Sequence, residues 1–297
     1  MYAWITFDIV MPMLDPRLLS AFVAIVETGS FTQAAERLHL TQSTISQQLG
    51  RLEQLVDRSL IDRTARPVLA TVAGERLLGY ARRILALQDE AQATLAHNPG
   101  AASIRIGLPE DIVTGPMARA FADFARAHRQ VRLDVTTGLS RDITRRYRTG
   151  EFDIVIVKED TPSPDCSAVF PEALAWFEGA DAPKDWSDPL PLVAFPQGGL
   201  YRETMFQRIE RQRRSWYVAF SGSSLQSVVV AVEAGLGLSL LPVSAAAGRP
   251  LKRHGGLGPE PDIVVSLYAW ERSGAVAVLV DRMKAALQER FSELHDA

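Results

Sequence analysis

The residues best suited to recognition chemistry are a run of short amides and hydroxyls. Gln42, Ser43, Ser46 and Gln47 stand close together, and none carries a charge. Such groups both donate and accept hydrogen bonds, which is what reading base edges in a DNA major groove requires. A glutamine can pair bidentately with adenine, worth ~1–3 kcal/mol of discrimination. The plainer alternative is an ordinary polar helix face. Catalytic chemistry has little support by comparison. His39, His97, His128, His254 and His295 are scattered without metal-ligand spacing, and no His-Glu-x-x-His pair occurs. Gly222-Ser223-Ser224 lacks the Gly-x-Ser-x-Gly frame of a nucleophile elbow. Gly235-Leu-Gly-Leu238 follows a helix rather than a strand, so it is no dinucleotide fingerprint. Cys166, the only cysteine, excludes an intrachain disulfide and a cysteine metal cluster. It has no evident base beside it, and reads as a small half-buried residue rather than a redox sensor. No catalytic residue, metal or cofactor is expected.

The amides need a helix to present them. Ile45, Leu49 and Leu52 recur at i, i+4 and i+7 over residues 41–56, so they share one buried face, with the amides and serines on the other. Thr41 is a sound N-cap, and the free N–H groups behind it can meet a phosphate. Ahead of it the pattern predicts a helix over 16–28, with Leu18, Leu19, Phe22, Val23 and Val26 inward and Gly29 ending it. A second helix, 32–38, buries Phe31, Ala34, Ala35 and Leu38. After Val56, strand, turn and strand over 59–71 read as a wing, with Arg63 and Arg66 at its tip. Helix, turn, helix and wing make a DNA-reading head. Thr32, Thr41, Arg63 and Arg66 would touch phosphate or minor groove and position without reading sequence. Arg51 suits either a phosphate contact or a salt bridge to a neighbouring acid.

Net charge cannot hold DNA here: the chain carries -3, with a pI near 6.0. Placement must do so. Residues 72–97 form one helix without a breaker after Gly74, about 37 Å long at ~1.5 Å per residue. Its apolar positions Leu77, Ala81, Ile84, Ala91 and Leu95 approximate a heptad seam interrupted by Gln88. That length outruns the small head, so the helix is either a dimerisation element or a core helix of the domain after it. Asn98-Pro99-Gly100 makes a hinge.

From Ser103 strands and helices alternate, an α/β pattern. Strands are expected at 104–108, 131–135, 152–157, 173–177, 192–195, 217–220, 238–241 and 262–270. Helices are expected at 115–127, 142–149, 201–211, 224–234 and 276–294. Thr161-Pro-Ser-Pro164 reads as a crossing into a second lobe, which makes two lobes with a ligand cleft between them. Ligands sit beyond the carboxyl ends of strands. On that rule the walls should include Pro109, Asp111, Ser140, Lys158, Phe195, Arg202 and Ser223. Lys158 and Arg202 could attract an anionic effector, or could equally be structural charges. Glu110 and Asp111 most simply satisfy the start of the following helix and would then oppose a carboxylate there, and Ser223 and Ser224 could simply cap the helix they open.

The whole order resembles the LysR-type transcriptional regulators. The likeness is carried by Gly29-Ser-Phe-Thr-x-Ala-Ala-x-x-Leu38, Thr41-Gln-Ser-x-x-Ser-Gln-Gln-Leu-x-x-Leu-Glu53, Leu60-x-x-Arg63 and Thr71-x-x-Gly74. Gly150-Glu-Phe-Asp-Ile-Val-Ile156 and Val232-x-Ala-Gly-Leu-Gly-Leu-x-Leu-Leu-Pro242 carry it in the second half. Ile61 stands where the family favours Phe, and Ser43 where Pro is common. A further likeness is to the subgroup of LrhA and HexA type regulators, although no cysteine stands near Gly198-Gly-Leu-Tyr-Arg202. The resemblance implies a multi-domain α/β chain: a winged helix-turn-helix over 14–72, a linker and dimerisation helix over 73–98, and a periplasmic-binding-protein-like effector domain over 102–297. Its first lobe would take 102–162 and 269–297, its second 163–268. Residues 1–13 would be an extension, native or artefactual. It further implies a cytoplasmic homodimer assembling to a homotetramer on double-stranded promoter DNA. A small anionic or aromatic effector would modulate binding, RNA polymerase is a possible contact, and no membrane is involved. Two rival readings stay open: a constitutive DNA binder whose second half only oligomerises, and an α/β binding protein or enzyme.

Overall fold

The computed structural model describes residues 14–95, 102–183 and 185–293. The extension, the Asn98-Pro99-Gly100 hinge and His97 lie outside them. The chain divides into an N-terminal and a C-terminal unit.

In the N-terminal unit, α1 (Pro16–Thr28) has proline in its first turn and Asp15 as N-cap, the carboxylate accepting the Arg17 N–H at 2.9 Å. Gly29 ends it in the left-handed region, at φ 63°. A Cβ on Gly29 would also fall 2.7 Å from the Pro67 side chain, so conformation and space both demand glycine. α2 (Phe31–Arg37) buries Ala34 and Ala35, two small residues that let α3 (Gln42–Val56) come close. Ile45, Leu49 and Leu52 are fully buried on α3, as their spacing predicts. On α1, Ile25 is buried where the spacing predicts Val26, and Val26 is only partly covered. The wing is β1 (Ile61–Asp62) paired antiparallel with β2 (Leu69–Ala70).

α4 (Val72–Leu95) lies along α1 and contributes Leu78 and Ala81 to this core, with Leu77 and Ile84 partly buried beside them. The first half of the expected seam is therefore covered by the chain's own α1. Farther along, Leu87 is 53% exposed and Ala91 is exposed.

The C-terminal unit holds two lobes. In chain order it comprises β3 (Ala102–Leu108), α5 (Gly115–Ala127), β4 (Val131–Thr137), α6 (Ser140–Arg148), β5 (Ile154–Glu159) and β6 (Ala168–Glu172). Next come β7 (Leu174–Gly179), β8 (Leu190–Ala194), α7 (Leu200–Arg211), β9 (Trp216–Ser221), α8 (Leu225–Glu233) and β10 (Ser239–Pro242). The last elements are α9 (Val243–Ala246), β11 (Leu251–Arg253), β12 (Ile263–Ala269) and α10 (Gly274–Glu293).

The first lobe's sheet runs β4-β3-β5-β12-β6. β3 is parallel to β4 and β5, whereas β12 runs antiparallel to both its neighbours. α5 and α10 cover one face through Phe124, Met283 and Leu287. Ile143 and Tyr147 of α6 cover the other with Phe152 and Tyr268. Central β5 is thus enclosed on both sides, which explains its nearly unbroken apolar run. In the second lobe β7 lies between β10 and β11, and a Leu192–Leu238 bridge joins them to the parallel pair β8 and β9. Trp176, Leu192, Met205, Val228 and Leu240 fill its core.

The crossings fall elsewhere than the expected 162/163 and 268/269. β6 and the whole of β12 belong to the first sheet, so the chain crosses near Ala173 and returns before Ile263. β6 and β11 were not foreseen. Each is short, and β6 contains Pro171, which an edge strand tolerates because its missing N–H faces no partner. Pairing with β12 and β7 makes them strands, not their own composition.

Candidate functional site

The first candidate surface is the face of α3. Thr41 caps the helix, its Oγ1 accepting the Thr44 N–H at 3.2 Å and lying 2.8 Å from Ser43 Oγ. Gln42, Ser43, Gln47 and Arg51 are exposed, Ser46 is half-buried, and Thr32 is exposed at the start of α2. Arg51 makes no ion pair among the described residues, so of its two readings the salt bridge is not formed.

Both wing arginines have intramolecular partners. Arg63 lies 3.2 Å from Glu53 Oε2 and 5.7 Å from the Phe31 ring centroid. Arg66 Nη1 donates to the carbonyls of Arg63 and Ala65 at 2.8 and 2.9 Å. The six residues between β1 and β2 keep both cations engaged, Arg66 on carbonyls of the same loop and Arg63 on the Glu53 carboxylate. Glu53 also accepts the Leu60 N–H at 2.8 Å, fastening the end of α3 to the wing. Asp62 accepts the Thr64 hydroxyl at 2.6 Å and its N–H at 2.8 Å, and these bonds hold its carboxyl below the usual range.

The second candidate is a cavity of about 230 Å3 between the lobes of the C-terminal unit. It gathers Pro109, Asp111, Ser140 and Lys158 from the first lobe with Phe195 and Ser223 from the second. Six of the seven expected wall residues thus meet at one place. Arg202 does not line it. Its Nη1 donates to the Phe195 carbonyl at 2.7 Å and its guanidinium lies 4.7 Å from the Phe206 centroid. From the first turn of α7 the side chain folds back on the preceding strand end, so it is a structural charge.

Lys158 is structural too. It is buried at the end of β5, its Nζ 2.6 Å from Asp111 Oδ2 and 2.8 Å from Glu172 Oε2. Arg290 on α10 completes the group, donating to the Asp111 carbonyl at 2.7 Å and lying 3.2 Å from Asp111 Oδ2. Burial works to raise the Asp111 carboxyl, but Lys158 and Arg290 outweigh it and hold the carboxyl below its ordinary value. Burial would lower the Lys158 ammonium; Tyr201, Asp111 and Glu172 reverse that and raise it. Tyr201, buried on α7 against this ammonium, has its phenol pushed up chiefly by desolvation.

Sequence reasoning missed Tyr201, Glu172 and Arg290. The last two stand on an unforeseen edge strand and a distant helix, so no local signal could have found them. Ser224 caps α8, its Oγ accepting the Ser227 N–H at 3.1 Å, whereas Ser223 is exposed beside the cavity. Cys166 donates from Sγ to the carbonyl of Ala168 at 2.9 Å. Among the described residues no cluster of His, Cys, Asp and Glu has the arrangement of a metal site, and no helix is long and apolar enough to cross a membrane.

Comparison with known families matches both parts. The family model for the bacterial regulatory helix-turn-helix protein of the lysR family covers residues 16–75, and that for the LysR substrate binding domain covers 97–291. The chain belongs to the LysR family of transcriptional regulators. It is 30% identical to the HTH-type transcriptional regulator DgdR of Burkholderia cepacia, over 78% of this chain and 79% of that one. Among solved structures it is similar to ArgP from Mycobacterium tuberculosis, with TM-score 0.65 and 26% identity over 92% of this chain and 97% of that one. Full-length LysG from Corynebacterium glutamicum with bound effector Arg gives TM-score 0.66 at 21% identity, covering 93% and 99%, and attests the fold. DgdR and the similar PecT of Dickeya dadantii are named transcriptional regulators, not enzymes. This regulator is accordingly a DNA-binding protein whose C-terminal half is an effector-binding module, and the comparisons assign it to no narrower subgroup.

Proposed function

We propose that this regulator reads operator DNA with α3 and is switched by a small molecule bound in the inter-lobe cavity. Gln42, Ser43, Ser46 and Gln47 face base edges. Thr32, Thr41 and Arg51 hold phosphate, with Arg63 and Arg66 doing so once DNA competes for their intramolecular partners. Pro109, Asp111, Ser140, Lys158, Phe195 and Ser223 form the effector walls, with Lys158 and Asp111 shaping the floor rather than binding the ligand directly.

The observation that carries this reading is the cavity itself, walled by both lobes. Beside it the lobes are bridged where Glu110 Oε1 accepts the Gln226 N–H at 3.3 Å and Ser244 Oγ donates to Glu172 at 3.4 Å. A ligand that lengthens or replaces such bonds changes the lobe angle, and differential affinity for two lobe arrangements is what shifts an equilibrium.

One recognition helix makes few base contacts, so useful affinity requires two half-sites about a helical turn or its multiple apart. Leu87 and Ala91 supply an apolar surface on α4 for a homodimer, which assembles to a homotetramer on promoter DNA in the cytoplasm and there contacts RNA polymerase. The working division is a head over 14–72, a dimerisation helix over 73–98 and an effector module over 102–297.

The test is footprinting of the full-length protein on DNA upstream of its own gene, with and without fractionated small-molecule extract. Protection that shifts with one fraction is expected. Protection unchanged by every fraction would overturn the effector reading and favour a constitutive binder.

A further inference from the structure

The charges around the cavity balance with one left over. Lys158 and Arg290 both lie against Asp111 and Glu172, the longest of these contacts being Arg290 Nη2 to Glu172 Oε1 at 3.4 Å. Two cations therefore meet two anions, and the four side chains are between 2% and 15% exposed. An incoming anion would find both cations already committed. The remaining charged side chain on the wall is Glu110, exposed at the cavity edge. It makes no ion pair among the described residues, and its one hydrogen bond there is the Gln226 N–H to Oε1, which leaves Oε2 open. Arg249, in the groove on the far side of Glu110, is committed to Glu233 at 3.0 Å and to the Gln226 side chain at 2.7 Å.

Resting on the reading of this cavity as the effector site, we propose that the effector carries a primary ammonium group and that Glu110 receives it. A carboxylate beside a low-dielectric wall attracts a cation more strongly than one in open water does. The ammonium's further protons can go to the hydroxyls of Ser140 and Ser223. Pro109, Leu139, Phe195, Leu200 and Leu225 line the same space, so the rest of the ligand is an organic body and not a hydration shell. This departs from the anionic effector that Lys158 and Arg202 suggest in the sequence: one is neutralised in place and the other faces away.

The inference is tested on full-length protein by thermal shift and calorimetry with matched trios of an amine, the amino acid that is its carboxylated form, and an amine-free acid of the amino acid's chain length. These are isoamylamine, leucine and 4-methylpentanoate; phenethylamine, phenylalanine and 3-phenylpropanoate; and cadaverine, lysine and hexanoate. Stabilisation confined to ammonium-bearing members is expected, and the amine and amino-acid arms separate a bare cation from a zwitterion. Glu110→Gln keeps an acceptor for the Gln226 N–H but removes the charge. It should weaken binding of the best probe roughly ten- to hundredfold, the worth of one charge-assisted hydrogen bond, with the unliganded melting temperature checking the fold. Binding of the amine-free acids alone overturns the ammonium assignment while leaving the cavity an effector site. Undiminished binding by Glu110→Gln overturns it too, as does silence from all probes at millimolar concentration; the effector reading is then decided by footprinting.

Discussion

On the proposed reading, single side chains of this regulator divide between recognising bases and holding phosphate. Gln47 is exposed on α3 and Arg51 stands one turn further on, exposed and without an ion pair among the described residues. Gln47→Ala should relax preference at particular base pairs, costing ~1–3 kcal/mol at the affected position and little elsewhere. Arg51→Ala should weaken binding to all sequences alike and reduce the salt slope by about 1. Quantitative retardation on matched and mutated operators at several salt concentrations separates the two. In the effector module Lys158 stands between Asp111 and Glu172. Lys158→Met leaves these buried carboxylates facing only Arg290, so a loss of about 3–5 kcal/mol is expected. Denaturant unfolding of that variant measures it.

At the scale of elements, the joint between wing and α4 is the tightest place in the head. Thr71 Oγ1 donates to the Ser59 carbonyl at 2.7 Å and accepts the Gly74 N–H at 3.1 Å. A Cβ on Gly74 would fall 2.1 Å from the Leu60 carbonyl oxygen, which gives the Thr71-x-x-Gly74 pattern its physical meaning. Gly74→Ala should cost about 1–3 kcal/mol by overpacking, seen as a lowered melting temperature and weaker operator binding. The exposed stretch of α4 makes a different prediction. Leu87 lies well outside the head's own core, so Leu87→Lys should leave the monomer fold intact and disrupt self-association. Sedimentation equilibrium of the variant beside wild type decides that.

For the molecule as a whole, the buried quartet ties stability to pH in a definite direction. Asp111 titrates below its ordinary 3.8 in the folded state. Its contribution is therefore present above about pH 4, where the unfolded chain is also ionised, and is lost as pH falls through the lower folded value. Lys158, raised above 10.5, contributes fully below that value and loses its share only as pH climbs through the higher folded one. Stability from this network should be flat between about pH 5 and 9 and fall on the acid side. Asp111→Asn should lower the plateau and flatten the acid limb. Thermal melts from about pH 2 to 9 test both statements. The same arithmetic of charges leaves Glu110 as the uncommitted group on the cleft wall.

Local periodicity determined most of what lies near in sequence. The spacing of Ile45, Leu49 and Leu52 set the face of α3, Gly29 the end of α1, and 115–127 the bounds of α5, because helix geometry depends only on neighbours three and four residues away. The wall residues at strand ends were legible for a related reason: Pro109, Lys158 and Phe195 come at or just after the ends of apolar strands, and strand ends share a cleft. What the tertiary structure alone decided is who answers whom. β6 becomes a strand only by pairing with β12, and the lobe boundary moves with it. Arg202 turns to a carbonyl and a ring, Arg63 to Glu53, and Lys158 to carboxylates 47 and 14 residues away. A charge's availability to a ligand depends on its neighbours in space, and long-range charge pairing leaves no period in a sequence. For that reason the buried face of α3 could be foreseen residue by residue, whereas which of the cleft's charges pair with one another could not.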